Sequence, residues 1–226
     1  MKSFTFAAVI GAASALNTTE FEYMQYIAKY NKVSNDIEMF NARMENFAKA
    51  DSFIKEHNAT ESSYTVGHNQ FSDWFTVEYK NMLRYAKRQE MRGESTLLDT
   101  SANADSVNWV TAGAVTPVKD QGSCGSCWAF STTGSLEGAH FISKNELLSF
   151  SEEQLVECDT TVNQGCNGGN QDEAYKYYEA GNDAELESVY PYTSGSGSAG
   201  ACKYDAASAT AVTVSAYTNV TPSTMD

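Results

Sequence analysis

The stretch Gln121-Gly-Ser-Cys-Gly-Ser-Cys-Trp-Ala-Phe-Ser131 decides the fold of this chain. Cys127 opens a run rich in Ala, Phe and Leu that predicts a helix over 127–142. A helix N-terminus offers unpaired N–H groups and the positive end of the helix dipole, so a thiol placed there ionises more readily and becomes a nucleophile. Gly125 permits close approach of a peptide. Gln121 can turn its side-chain N–H towards Cys127, which predicts an oxyanion hole.

The pair Cys124 and Cys127 also fits three other kinds of chemistry. It is compatible with a structural disulfide, with a thioredoxin-like redox pair, or with half of a zinc site completed by Cys158 and Cys166. Zinc is disfavoured for two reasons. The Cys158–Cys166 spacing is long for a pair of zinc ligands, and residues 1–15 have the layout of a secretory signal, which leads to an oxidising compartment where cysteines form disulfides. The residues alone leave the nucleophile, disulfide, redox and metal interpretations open.

The composition excludes several classes of protein. The chain has 226 residues, of which 42% are hydrophobic and 19% charged, a balance typical of globular proteins rather than disordered or fibrous ones. Its formal net charge of −14 argues against a nucleic-acid partner. No apolar run is long enough to span a membrane.

Residues 1–15 have the layout of a secretory signal peptide. Lys2 is followed by a short apolar stretch and by the small residues Ala13-Ser14-Ala15, where cleavage is expected. We therefore expect entry into the secretory pathway, with a lysosomal, vacuolar or extracellular destination. In such an oxidising compartment cysteine pairs form disulfides.

Charge divides the remaining chain into two parts. Residues 16–101 hold no cysteine and carry 10 basic and 13 acidic residues, whereas residues 102–226 hold all five cysteines with four basic and 16 acidic residues. In the first part, apolar spacing predicts a helix near residues 21–30, a long helix through residues 37–54 that starts at Asn35, and a third over 77–85. In the second, helices are predicted over 127–142, 152–158 and 171–180, with a capping box at Ser151 and Gln154. Residues 194–200 (SGSGSAG) predict a flexible loop.

The Gln121–Ser131 stretch resembles the active-site motif of papain-like cysteine peptidases. Further segments resemble the same family: Val107-Asn-Trp109, Gly165-Cys-Asn-Gly-Gly169, Tyr190-Pro-Tyr192 and, in the first part, Gly67-x-Asn69-x-Phe71-x-Asp73. Arg43, Phe47, Ile54 and Asn58 keep the spacing of the cathepsin L-type propeptide helix, from which Ala50 and Glu38 depart. The resemblance covers essentially everything after the signal peptide.

The resemblance implies an α+β, papain-like fold preceded by an α-helical propeptide. It implies an inhibitory propeptide over 16–101 and the N-terminal part of a peptidase domain over 102–226, with the helical left-hand domain present and the β-rich right-hand domain mostly missing. Cys127 would be the nucleophile of a thioester mechanism and Gln121 the oxyanion donor. No metal or cofactor is implied.

The resemblance also implies the cysteine pairing and the substrate-binding residues. It joins Cys124 to Cys166 and Cys158 to Cys202, which leaves Cys127 as the odd thiol. The expected substrate-binding residues are Gly125, Gly168, Gly169, Asn170 and Gln171. The last two stand where the family often has bulkier apolar residues, which predicts a polar-tolerant second subsite.

The catalytic base of such an enzyme is missing from the sequence. The family places its His and Asn roughly 130–150 residues after the cysteine, but only 99 residues follow Cys127. His57, His68 and His140 do not fit the role, and the expectation is an inactive N-terminal fragment of a longer precursor.

The expected partners are peptide or protein substrates and the chain's own propeptide, with no nucleic acid and no membrane span; we expect a monomer. Two alternatives are a non-catalytic inhibitor or binding module that acts through the propeptide, and a thiol oxidoreductase that uses Cys124 and Cys127.

Overall fold

The computed structural model describes residues 18–33, 36–60, 62–83, 95–96, 104–207 and 212–220. The chain divides into two compact units, Met1–Tyr79 and Lys80–Asp226. The predicted signal peptide lies outside the described residues. Among the described residues, no helix combines the length and the apolar character that crossing a bilayer requires.

Three helices begin in the first unit, as predicted. They are α1 (Thr18–Lys29), α2 (Ile37–Asn58) and α3 (Thr76–Leu83), the last of which continues into the second unit. The predicted start of α2 at Asn35 is wrong, because the N-cap is Asp36. The Asp36 carboxylate accepts a hydrogen bond from the Glu38 N–H (2.9 Å), which satisfies a free donor of the first turn.

The core of the first unit is aromatic. Tyr23, Tyr26 and Phe47 are buried together, with ring centroids 5.0–5.9 Å apart. The hydroxyls of both tyrosines donate to the buried carboxylate of Asp73, which is also paired with Lys32. The Gly67–Asp73 motif therefore ends on a carboxylate that ties it to α1.

The second unit is built around α4 (Cys127–Lys144), which packs against α5 (Glu152–Cys158) and α6 (Gln171–Glu179). Its core includes Trp128, Phe150, Leu155, Ala174 and Tyr178, each with at most 1% of its surface exposed. A parallel pair of two-residue strands, β1 (Ser95–Thr96) and β2 (Asn219–Val220), belongs to the same unit. Helices with few strands confirm the predicted fold class.

The sequence predicts where these helices begin, whereas α4 ends two residues later and α6 one residue earlier than predicted. α4 begins at Cys127 as predicted, and α5 has the predicted bounds. The Ser151 hydroxyl accepts from the Gln154 N–H at 3.0 Å, which confirms Ser151 as the cap. The predicted capping box is incomplete, because the Gln154 side chain bonds to the Asp183 carbonyl and the Glu185 N–H, while the Ser151 N–H donates to the Glu185 carbonyl. α6 is followed by Gly181 with φ +97°, a left-handed conformation that suits glycine.

Two disulfides close loops within the second unit. Cys124 is bonded to Cys166 and Cys158 to Cys202, the pairing that the resemblance implies, and Cys127 is free. A redox pair of Cys124 with Cys127 is therefore not formed. Each bridge closes a loop of more than 40 residues and contributes about 2–4 kcal/mol. Among the described residues, no cluster of three or more His, Cys, Asp or Glu side chains could hold a metal ion.

A buried ion network links α4 to α5. The Nζ atom of Lys119 lies 2.8 Å from Glu137 Oε1 and 2.6 Å from Glu152 Oε1. The two carboxylate side chains are 2% and 1% exposed, whereas Lys119 reaches solvent with 23% of its side chain. The single positive charge of the lysine is thus shared between two carboxylates that would otherwise be buried without a counter-ion.

The predicted flexible loop at 194–200 is wrong for its first residues. Ser194–Ser196 form a 3-10 turn, and Ser194 is 1% exposed. The buried carboxylate of Glu153 accepts four hydrogen bonds, from the backbone N–H groups and hydroxyls of Thr193 and Ser194. Burial alone would raise the pKa of Glu153, but these bonds lower it below its usual range. The Gly- and Ser-rich composition of this segment does not show that a carboxylate about 40 residues earlier, that of Glu153, accepts its hydrogen bonds.

Candidate active site

The candidate nucleophile lies where α4 begins. Cys127 is the first residue of the helix and is partly exposed, whereas Ser126 and Cys124 before it are fully buried. The approach to the helix is held by the Cys124–Cys166 bond and by a hydrogen bond from the Gly125 N–H to the Cys166 carbonyl (3.0 Å). Gly125 is buried, and its N–H is already used within the fold.

Gln121 lies on the loop that leads to this helix. Its Nε2 donates to the carbonyl of Cys124 at 2.7 Å. A side-chain amide carries two N–H donors, so one remains for a ligand. The loop is tight at Gly122, whose φ is +63° and whose missing Cβ would lie 2.3 Å from the Gly195 carbonyl oxygen. Glycine is therefore required next to Gln121 for both conformation and space.

A backbone carbonyl lies against the thiol. The Cys127 Sγ donates to the carbonyl oxygen of Leu83 at 3.8 Å, and Leu83 is the last residue of α3, in the second unit. Residue 83 falls within the part of the chain that the sequence predicts to be an inhibitory propeptide. The thiol thus faces a peptide group of its own chain.

The predicted substrate loop lies beside the start of α6. Gly168 is buried with φ +110°. Gly169 has no room for a side chain, since a Cβ would lie 2.6 Å from both the Trp128 ring and Asn163 Oδ1. Asn170 is the N-cap of α6 without a capping bond from its side chain, and Gln171 is the first helical residue; both are partly exposed.

Asn163 fixes this loop from behind. Its Oδ1 accepts from the Asn170 N–H (2.7 Å), and its Nδ2 donates to the Asn170 carbonyl (3.3 Å) and to Asp159 Oδ2 (2.5 Å). Desolvation raises the pKa of Asp159 to about 6. The hydrogen bond from Asn163 lowers this pKa, whereas the negative charge of Glu173 raises it further. Asn163 and Asp159 were not predicted as site residues.

Each histidine has neighbours other than Cys127. His57 lies against Tyr64, and His68 stacks on Phe47 near Asp51. His140 lies beside Phe150 and Glu146 and is 13 residues along the helix from Cys127, about 20 Å at the usual rise. Within the described residues, the described side-chain contacts thus bring no imidazole to the thiol.

The comparisons with known proteins establish the family. Residues 103–226 match the papain family cysteine protease domain, and residues 23–79 match the cathepsin propeptide inhibitor domain (I29). The chain therefore belongs to the papain family of cysteine proteases and carries a cathepsin-type propeptide inhibitor domain.

Among its relatives, digestive cysteine proteinase 2 of Homarus americanus is 38% identical over 93% of this chain and 66% of the relative. Cysteine proteinase 5 of Dictyostelium discoideum is 36% identical over 98% of this chain and 65% of the relative. The chain thus spans slightly less than two thirds of the length of either protein.

Solved structures of precursors share the fold. A recombinant stem bromelain precursor superposes with a TM-score of 0.73 at 28% identity, over 85% of this chain and 62% of that one. A digestive procathepsin L2 from the larval midgut of Tenebrio molitor gives 0.73 at 29% identity, over 85% and 65%. These similarities confirm the papain-like fold of a propeptide-bearing precursor.

Proposed function

We propose that this chain belongs to the precursor of a secreted or lysosome- or vacuole-directed cysteine endopeptidase, with Cys127 as nucleophile and Gln121 as oxyanion donor. The Cys127 thiolate attacks the carbonyl carbon of a peptide, and the C–N bond breaks to leave a thioester and a protonated amine. Water then hydrolyses the thioester, which releases the acyl group as a carboxylic acid and returns the thiol. The observation that carries the proposal is a free thiol at a helix N-terminus beside an amide with a spare N–H.

The proton transfers need an imidazole, which none of the described histidines supplies. We therefore expect Cys127 in residues 102–226 alone to react with an electrophile such as iodoacetamide, but we expect this part of the chain to hydrolyse no peptide. The proposed division is a propeptide over 16–101 and a peptidase part over 102–226. The Leu83 carbonyl at the Cys127 thiol supports autoinhibition by the propeptide, because it occupies the approach to the sulfur.

Thiol labelling tests the proposed nucleophile. We expect iodoacetamide to add one label to the non-reduced chain, at Cys127, and to add it faster after the segment up to residue 101 is removed. Peptide mapping by mass spectrometry gives the labelled residue, and Cys127→Ala is the matched control that should take no label. A wild-type chain that stays unlabelled, or a Cys127 found in a disulfide, would contradict the proposal.

The second subsite is expected to tolerate polar side chains. Asn170 and Gln171 offer amides at the partly exposed start of α6, where they can bond a polar side chain of the substrate. We expect Gln171→Leu in the natural processed enzyme to lower kcat/KM for polar residues at this subsite about threefold to tenfold relative to leucine. A peptide library profiled with both enzymes gives the ratio. A wild-type enzyme that demands bulky apolar residues there would refute the expectation.

A further inference from the structure

The Tyr192 hydroxyl joins the two sides of the candidate site. It donates to the backbone carbonyl of Gln121 (2.8 Å) and lies 2.8 Å from Ser126 Oγ. A phenol has one hydrogen, and that hydrogen serves Gln121, so the Ser126 hydroxyl donates to Tyr192. One oxygen atom thus bridges the residue that carries the oxyanion donor and the residue directly before Cys127.

Tyr192 is itself held rigidly. Its ring packs edge-on against Phe130 of α4 with centroids 4.9 Å apart, and its N–H donates to Glu187 Oε1 at 2.8 Å. The residues that follow are fixed by the four bonds of Glu153. Three residues on, the Gly195 carbonyl accepts from the Ser123 N–H (2.8 Å), so the same segment braces the Gln121 loop a second time.

An oxyanion hole works only when its two donors keep a fixed separation. The donors here are the Cys127 N–H at the start of α4 and the Gln121 amide on the preceding loop, and in the transition state the oxygen must lie within hydrogen-bond distance of both. The hydroxyl of Tyr192 bonds to Gln121 itself and to the neighbour of Cys127, and therefore ties these donors together.

On this basis, which rests on the proposed function, we propose that Tyr192 is a positioning residue of the active site that fixes the oxyanion donor relative to the nucleophile. It contacts no reacting atom. It acts on transition-state stabilisation and not on ground-state binding, so its loss should lower kcat with little change in KM.

The test compares Tyr192→Phe with Tyr190→Phe in the natural precursor after removal of its propeptide. Both changes delete one phenolic oxygen that makes two hydrogen bonds, but Tyr190 bonds to Glu157 and to the Lys203 N–H. We expect Tyr192→Phe to lower kcat about tenfold with KM within about twofold of wild type. Tyr190→Phe should keep kcat within about twofold even if it lowers the melting temperature. Equal kcat values for the two variants would overturn the proposal.

Ser126→Ala cuts the same bridge from its other end and keeps Tyr192 whole, so it serves even if Tyr192→Phe folds poorly. We expect it to lower kcat about threefold, and we expect the double variant to be no slower than Tyr192→Phe alone; losses that multiply would contradict a shared bridge. Iodoacetamide labelling distinguishes a failure of the proposed function from a failure of the proposed role of Tyr192. A wild-type Cys127 that does not react defeats the proposed function, whereas a reactive Cys127 with an unaffected Tyr192→Phe variant defeats only the role of Tyr192.

Discussion

Replacement of Lys119 by methionine should lower the free energy of unfolding of the second unit by about 3–5 kcal/mol at pH 7, because it leaves two buried carboxylates without a counter-ion. Burial by itself lowers the pKa of Lys119, but its bonds to Glu137 and Glu152 outweigh this effect and raise the pKa above 10.5. The lysine therefore stays charged throughout the physiological range. Urea unfolding with intact disulfides, followed by tryptophan fluorescence, gives the difference.

The matched control for this change is Lys144→Met. Lys144 is exposed in the last turn of α4, so the same substitution should change the free energy of unfolding by no more than about 0.5 kcal/mol. A Lys119→Met chain as stable as the control at pH 7 would show that the network adds nothing to folding.

Asp159→Asn should stabilise the second unit at neutral pH. The folded-state pKa of Asp159 is raised to about 6 by desolvation from an ordinary value of 3.8. The folded state thus holds the proton more tightly than the unfolded state, and stability falls as the pH rises from about 4 to above 6. The asparagine oxygen can still accept from Asn163, and no charge is buried. We expect a gain of about 1–3 kcal/mol at pH 7.5, reduced by any unpaired amide N–H.

Urea unfolding at pH 5 and pH 7.5 measures this effect, with the exposed Asp105→Asn as control. The wild type and the control should lose stability between the two pH values, whereas Asp159→Asn should lose less. A variant that is less stable than wild type at pH 7.5 would mean that the charged form of Asp159 supports the loop through Asn163.

The helices, and the position of the Cys127 thiol at the start of one of them, were predicted from residues close together in the sequence. The cap at Ser151, the glycine after α6 and the start of α4 at Cys127 each depend on residues within one or two turns of one another. The start of α2 was missed by one residue, because Asn35 and Asp36 both suit the N-cap position and composition does not choose between them.

The residues that hold the candidate site in place could not be predicted, because their hydrogen-bond partners lie far from them in the sequence. Tyr192 bonds to residues 66 and 71 positions away, and Glu153 holds a turn about 40 residues away. The Tyr190-Pro-Tyr192 motif was visible in the sequence, but a hydroxyl does not reveal which carbonyl it will meet. Asn163 was likewise an ordinary polar residue until the fold placed it behind Asn170.

The close packing of Gly169 on Trp128 limits which substitutions the proposed substrate-binding loop can accept. Any larger residue at 169 would collide with a core indole and with the Asn163 amide that fixes the loop, so the loop cannot accept a side chain at that position. Asn170 and Gln171, whose side chains are partly exposed, are the neighbours free to vary. A mutational library that tests the proposed second subsite should therefore randomise these two positions and keep the glycine constant.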